Sequence, residues 1–422
     1  MTEIDGTLTS PHLGDQMTGS QRAQLVLMLG AFIALGPLTV DMYLPALPTV
    51  TAALETTSTA VQLTLTGTLL GLAVGQLFIG PLSDAAGRRL PLLAGLVLHV
   101  AASALSVFAP TIAVLEVARV LQGVGVAAAT VIATAVVRDL FSGAAFARLF
   151  SRLMLVTGAA PLLAPTLGSA VLGWTGWRGV FVTLALLGVL LITVALIGLP
   201  ETLAPQRRHR GFGTTLHVYG RLLRDRAFVA LVAVVGLFAA AQFAYVAGSS
   251  FVLQQQYGLN AQEFGLVFAV SVAGLIGAIQ FNVVLLRRYT PLQILRAALI
   301  AGTAAGIILL FFAVTGLGGL TTLLVSVILV LATIGLAFPN APALAMTRHG
   351  EAAGTAAALL GAVQFGGGAL GAPLVGVLGG GSVAMALVIA GGLAAATAVM
   401  LLVVPRVGLT ADDADTLGHA PR

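Results

Sequence analysis

An aspartate and an arginine, Asp41 and Arg119, lie inside runs of otherwise apolar residues. A charge near a bilayer centre costs about 2.5–3.5 kcal/mol on insertion scales, so each needs a reason. A buried carboxylate can exchange a proton, because burial favours its neutral form while a nearby cation favours its charged form. Asp41 lies roughly three-quarters of the way along the first apolar run, and Arg119 about two helical turns into the fourth. Those runs point in opposite directions, so the two charges fall at comparable depth, where they could pair directly or through water. The bland alternative is a static ion pair that only fixes helix register.

Other polar residues inside the runs admit two readings. Tyr43, Gln242, Tyr245, Asn340 and Gln364 could line a cavity, or their polar groups could serve as hydrogen bonds between helices, worth about 0.6 kcal/mol each. Glu116, one turn before Arg119, reads as an interfacial partner with a secondary claim on coupling. His99 reads as a packing residue.

The elements that must position these groups are membrane helices. The chain has 422 residues, 58% hydrophobic and only 8% charged, whereas soluble domains are about a quarter charged. Its mean hydropathy is +1.05. Apolar runs at 24–44, 61–82, 90–109, 112–137, 150–172 and 180–199 form one set of six. A second set follows at 228–251, 263–286, 292–314, 320–346, 352–378 and 383–404. Each is long enough to cross a hydrocarbon core of about 30 Å as a helix. The expected fold is therefore all-α and polytopic, with twelve transmembrane helices in two six-helix halves. Its parts are a tail over 1–23, halves at 24–199 and 227–404, a linker at 200–226, and a second tail over 405–422.

Arginine placement sets an expected orientation. All twenty basic residues are arginine, and all but Arg119, inside a span, and Arg178 fall on one side of the expected bilayer. The positive-inside rule makes that side, with both termini and the linker, cytoplasmic. The first twenty residues lack a basic region ahead of a short apolar core, so no cleaved signal peptide is expected. The calculated pI near 10.4 does not imply nucleic-acid binding, since the arginines lie between apolar runs and form no basic face in water.

Missing residue types exclude whole classes of function. Without cysteine there are no disulfides or thiolate metal sites. Without lysine there is no Walker A loop and no lysine Schiff base. A carrier driven by an ion gradient survives every exclusion.

Several motifs resemble the major facilitator superfamily, and within it the twelve-span drug:proton antiporters of the Bcr/CflA type. The loop after the second span, Gly80-Pro81-Leu82-Ser83-Asp84-Ala85-Ala86-Gly87-Arg88-Arg89, is similar to the superfamily loop motif, with Ala85 where a basic residue is usual. The resemblance implies a conformational gate built from Gly80, Asp84, Gly87, Arg88 and Arg89, joined by Asp139 at the end of span four. Arg119-Val120-Leu121-Gln122-Gly123 resembles the antiporter motif whose arginine is implicated in proton transfer, and places Gln122 at the substrate cavity. Ala164-Pro165-Thr166-Leu167-Gly168-Ser169 resembles the span-five antiporter motif and implies a bend at Pro165 and Gly168. Asp41-Met42-Tyr43-Leu44-Pro45-Ala46, the stretch 245–254 and Pro339-Asn340-Ala341-Pro342 resemble the Bcr/CflA branch itself. Some such antiporters carry a second acid eight residues before the aspartate. Ile33 stands there in this chain, so coupling is expected to rest on Asp41.

The resemblance implies a proton-coupled antiporter of the bacterial inner membrane, exporting drug-like or toxic compounds. It would be no enzyme, with no cofactor beyond the proton, no metal, a small-molecule substrate, the lipid bilayer around it and a monomeric state. Export of a metabolite and proton-driven uptake are the competing expectations.

Overall fold

The computed structural model describes residues 17–141, 143–208, 212–347, 349 and 352–404. Most of the expected tails, at 1–16 and 405–422, lies outside the described residues, as do Arg210 and Arg348 of the arginine set.

The first helix, α1 (Gly19–Asp41), starts at Thr18, whose hydroxyl and backbone are bridged reciprocally by Gln21 in a capping box. It ends on Asp41. Pro45 follows and has no N–H to continue the helical ladder, so the chain turns through a 3-10 segment (Leu44–Ala46) into the short α2 (Leu47–Ala53), where Pro48 fits the first turn. Asp41 thus occupies the carboxyl end of α1, while the apolar span itself continues through α2 to Ala53. Helix α3 (Ser58–Ala86) closes at Gly87, whose φ of 92° suits glycine, and α4 (Arg89–Val107) and α5 (Ile112–Leu140) follow.

Helix α6 (Gly143–Gly198) runs for 56 residues. At 1.5 Å per residue that is about 84 Å, far more than one crossing requires. Gly176, at φ 71° and ψ −176°, breaks it into two arms. The first arm packs on α1, where Gly30 faces Leu153 and Val156 and Gly168 faces the Met42 backbone. The second packs on α4, where Gly188 faces His99 and Val100. Counted this way, α6 supplies the fifth and sixth crossings.

After the connecting helix α7 (Phe212–Leu222) come α8 (Arg226–Phe251), α9 (Ala261–Leu285), α10 (Pro291–Thr315), α11 (Gly319–Met346), α12 (Ala353–Val377) and α13 (Gly381–Leu402). Among the described residues these give twelve crossings in two sets of six, at the positions the apolar runs indicate. Large side chains such as Leu27, Phe78, Ile197, Leu370 and Val377 are exposed around the bundle. Only a hydrocarbon surround makes such a surface stable.

The two halves meet through a symmetric pair of contacts. Helix α3, the second crossing, packs on α12, the fifth of the other half, with Gly361 against Gln76 and Gly376 against Thr59 and Gln62. The first arm of α6, the fifth crossing, packs on α9, the second of the other half, with Gly265 against Pro165, Thr166 and Ser169. Small residues permit this approach where packing rather than hydrophobicity drives association. The arrangement is that of repeats meeting across a central axis.

Candidate functional site

Arg119 is completely buried and is the largest fully buried side chain among the described residues. Its Nη1 donates to the Thr39 carbonyl at 3.0 Å and to Gln122 Oε1 at 2.7 Å. Gln122 passes the chain on by donating to Ser103 Oγ at 2.7 Å, and Ser103 donates to the His99 carbonyl. The guanidinium carbon stands 4.7 Å over the Tyr43 ring and 5.7 Å from the Phe181 ring. Tyr43 is fixed in turn by Phe181, at 5.3 Å between centroids, and by Thr64, which donates to its hydroxyl at 3.2 Å. Nε and Nη2 of Arg119 have no partner among the described residues.

Asp41 lies two residues beyond the carbonyl that receives Arg119 and is 7% exposed. No ion pair joins the two charges. The direct pairing that depth alone suggests is therefore not made. The helix end puts the Thr39 carbonyl where it receives the arginine, and the aromatic face of Tyr43 takes much of its charge. Of the residues singled out in the sequence, Tyr43, Arg119 and Gln122 converge in this cluster, and Asp41 is buried two residues beyond the Thr39 carbonyl without an ion pair to the arginine.

The remaining cavity candidates lie in the second half. Asn340 donates to Asn282 Oδ1 and to the Leu336 carbonyl, both at 2.7 Å, so it is a strut between α11 and α9. Tyr245 stacks on Phe268 at 5.5 Å and 12°. Gln242 is half-buried and keeps a buried Oε1 without a partner, while Gln364 on α12 is half-buried. Among the described residues no hydrogen bond links these four to the Arg119 cluster.

Past Asp41 the chain docks on the opposite half. Ser250 of α8 donates to the Leu44 carbonyl at 2.6 Å and Gln254 to the Pro45 carbonyl at 3.2 Å. Ser169, in the span-five motif, donates to the Ala261 carbonyl at 2.6 Å. Pro165 and Gly168 lie in the same segment, with Gly168 pressed on the Met42 backbone. The Asp41 end of the bundle is thus closed between halves by hydroxyl and amide donors reaching backbone carbonyls.

At the other end sits the charge cluster. Arg88 is 6% exposed and donates through Nε to Asp139 at 2.8 Å and through Nη1 to Ser83 at 2.7 Å and to Asp84. Burial works against its charge, but the carboxylates of Asp139 and Asp84 outweigh that and hold the guanidinium above its ordinary pKa. Arg89 turns away and donates to the Leu196 carbonyl at 2.7 Å. Gly87 is pressed against Glu201. Gly80, by contrast, faces open space and nothing in the structure explains it.

Sequence reading overlooked Glu201 and Thr202. Glu201 accepts from the backbone N–H groups of Arg88 at 2.9 Å and Arg89 at 3.3 Å, and lies 3.8 Å from Arg208. Burial pushes its carboxyl up, yet those N–H groups, that of Leu203 and the Arg208 charge together hold it below its ordinary value. Thr202 donates to Asp139 at 3.2 Å. The signal was an acid directly after the proline that ends the sixth crossing, within a linker otherwise rich in arginine. A lesser relative in the second half joins Asp225 to His349 at 2.9 Å.

Residues 27–372 match the family model of the Major Facilitator Superfamily. The chain is 37% identical over 367 residues to an uncharacterized MFS-type transporter, YdgK, of Bacillus subtilis, covering 85% of this chain and 90% of that one. It is 29% identical over 354 residues to a bicyclomycin resistance protein homolog of Haemophilus influenzae, covering 83% and 88%. A bacterial homolog of the human lysosomal transporter Spinster, inward-facing and occupied, superposes with a TM-score of 0.73 at 15% identity over 96% of this chain and 100% of that one. With twelve crossings, the paired packing of second on fifth helices and a match over most of its length, this chain is a transporter and belongs to the major facilitator superfamily.

Proposed function

We propose that this transporter expels small drug-like or toxic compounds across the bacterial inner membrane in exchange for protons, with its termini and the 200–226 linker in the cytoplasm. The observation that carries the reading is the unfinished hydrogen bonding of Arg119. A buried donor without a partner costs about 1–3 kcal/mol, and more when charged. The fully buried guanidinium leaves Nε and Nη2 open, and the buried acid Asp41, two residues beyond the Thr39 carbonyl that the arginine reaches, does not pair with it. Such a cluster gains by receiving a further acceptor from the substrate. A substrate that also offers a donor to the ionised Asp41 is displaced when a proton takes that carboxylate, so substrate and proton compete for Asp41.

The similarity to the bicyclomycin resistance protein homolog of H. influenzae supports a toxic compound as cargo. The closed Asp41 end supports alternating access, since hydroxyl-to-carbonyl bonds can be exchanged for water without stranding a charge. The membrane potential contributes about 2.3 kcal/mol per charge per 100 mV, against about 1.4 kcal/mol per tenfold gradient, so one proton sustains an outward gradient of tens of fold.

The test is transport by inverted vesicles from a pump-deficient host under an imposed pH difference. Chloramphenicol, bicyclomycin and a sulfonamide should accumulate in vesicles carrying the protein, and proton release should accompany each addition. Accumulation that ignores the pH difference would remove proton exchange from the reading.

A further inference from the structure

At the Asp41 end, away from the Arg119 cluster, a cleft of about 600 Å³ opens between the two halves. Its walls are the start of α3 (Ser58, Thr59, Gln62), the end of α8 (Phe251, Gln255, Gln256) and the glycine turn between α12 and α13 (Gly376 and 379–381). Three features mark it as built. Gln62 is 1% exposed and its Oε1 has no hydrogen-bond partner among the described residues. The α8 wall leaves α-helical geometry for a π-turn over Val252–Gln256, a distortion frequent at functional sites. Gln256 then clamps the glycine turn twice, donating to Ser382 Oγ at 2.9 Å and accepting from the Ser382 N–H at 2.8 Å.

The chemistry of the lining selects the occupant. The polar side chains are hydroxyls and carboxamides, and no charged residue lines the cleft, so an ion would lose its hydration without gaining a counter-charge. The unmet group is an acceptor, so the occupant must bring an N–H or O–H. Phe251 supplies an apolar wall. Gly376 packs on Gln62, and a side chain there would press on Gln62 Oε1 and Thr59 Oγ1.

We infer that this cleft is a second binding site, for neutral molecules that carry amide or hydroxyl donors, separate from the Arg119 cluster. The inference rests on the export reading only for its role as a subsite on the release side. Occupancy itself needs no proton gradient.

The chain has no cysteine, so a single one can report on the cleft. Gln255 is exposed, and Gln255→Cys should fold normally. In purified protein in nanodiscs, chloramphenicol or bicyclomycin, both neutral donors, should slow maleimide labelling at that position. At twice the dissociation constant the slowing should be about threefold, following 1 + [L]/Kd. Tetraphenylphosphonium, a cation without donors, should leave labelling unchanged. Gln62→Leu should weaken the neutral compounds' affinity at the cleft about fivefold to tenfold, and Gly376→Ala should act in the same direction. No protection by either neutral compound, or equal protection by the cation, overturns the inference. Export that persists without such protection sinks the cleft alone, whereas protection without pH-driven export sinks the antiport reading alone.

Discussion

The guanidinium of Arg119 rests 4.7 Å above the ring of Tyr43 rather than against a carboxylate. Cation–π attraction in a desolvated site is worth about 2 kcal/mol, enough to hold the charge while leaving its remaining donors unspent. Tyr43→Leu should therefore cut transport about tenfold, whereas Tyr43→Phe, which keeps the ring and loses only the Thr64 bond, should retain most of it. Efflux rates of the two variants at equal expression decide the point. Equal losses would assign the role to the hydroxyl instead.

Arg88 is shared unequally between two acids. Its partner Asp139 is 16% exposed as a side chain, and Asp84 is 50% exposed. An exposed pair is worth about 0–1 kcal/mol, while stripping an acceptor from a buried cation costs about 1–3 kcal/mol. Asp139→Asn should lower the thermal unfolding midpoint in detergent clearly more than Asp84→Asn. Both should slow transport by disturbing exchange between conformations, with detergent-solubilised ligand affinity within a few fold of the parent. Affinity falling as far as transport would deny the cluster a gating role.

Glu201 brings an acid limb to that stability. Its folded pKa lies below the ordinary 4.5, so its contribution is present above that value and fades as pH falls through the folded one. Thermal midpoints of the parent should drop more steeply below about pH 4.5 than those of Glu201→Gln. Parallel curves would show that the N–H bonds of Arg88 and Arg89 carry no linked stability.

Two glycines of one loop motif should part company. Gly87 adopts φ 92° and touches Glu201, whereas Gly80 is helical and meets nothing within 4 Å. Gly80→Ala should leave transport near the parent level and Gly87→Ala should impair it severely. The pattern of the motif treats the two alike, and only the backbone separates them.

That contrast shows what the sequence carried. Twelve apolar runs fixed the crossings, because bilayer thickness sets helix length whatever the neighbours are. Asp41 and Arg119 were legible because charge inside apolar runs is costly. Their failure to pair was not legible. It depends on where α1 ends, ahead of Pro45, and on Tyr43 reaching back beneath the guanidinium. Asn340 reads equally as a cavity amide or a strut until Asn282 appears across from it on α9. Glu201 and Arg88 lie more than a hundred positions apart, and no local pattern joins them.

Orientation is testable without any substrate. With the linker in the cytoplasm, a single cysteine at Gln206 should resist an impermeant maleimide in intact cells, and one at Gly316 should react. The reverse pattern would turn the molecule over and make the Arg88 cluster external.

In the proposed exchange the proton step is expected at Asp41. Among the described acids it is the one that is buried, and Glu116 lies one turn from Arg119 as the alternative. Asp41→Asn keeps the shape and removes the exchangeable charge. It should abolish pH-driven accumulation and substrate-induced proton release, yet leave a folded, membrane-inserted protein that still binds substrate. Arg119→Ala should be nearly as damaging. Arg119→Lys should recover only part of the activity, because an ammonium lacks the plane that lies over Tyr43 and the further Nε and Nη2 donors that remain while Nη1 serves Thr39 and Gln122. The decisive comparison is counterflow, exchange of labelled for unlabelled substrate with no pH difference. A carrier that has lost only its proton site should still exchange in Asp41→Asn while failing to concentrate. If Asp41→Asn vesicles accumulate substrate against its gradient, the proton is carried elsewhere, and Glu116→Gln becomes the variant to examine.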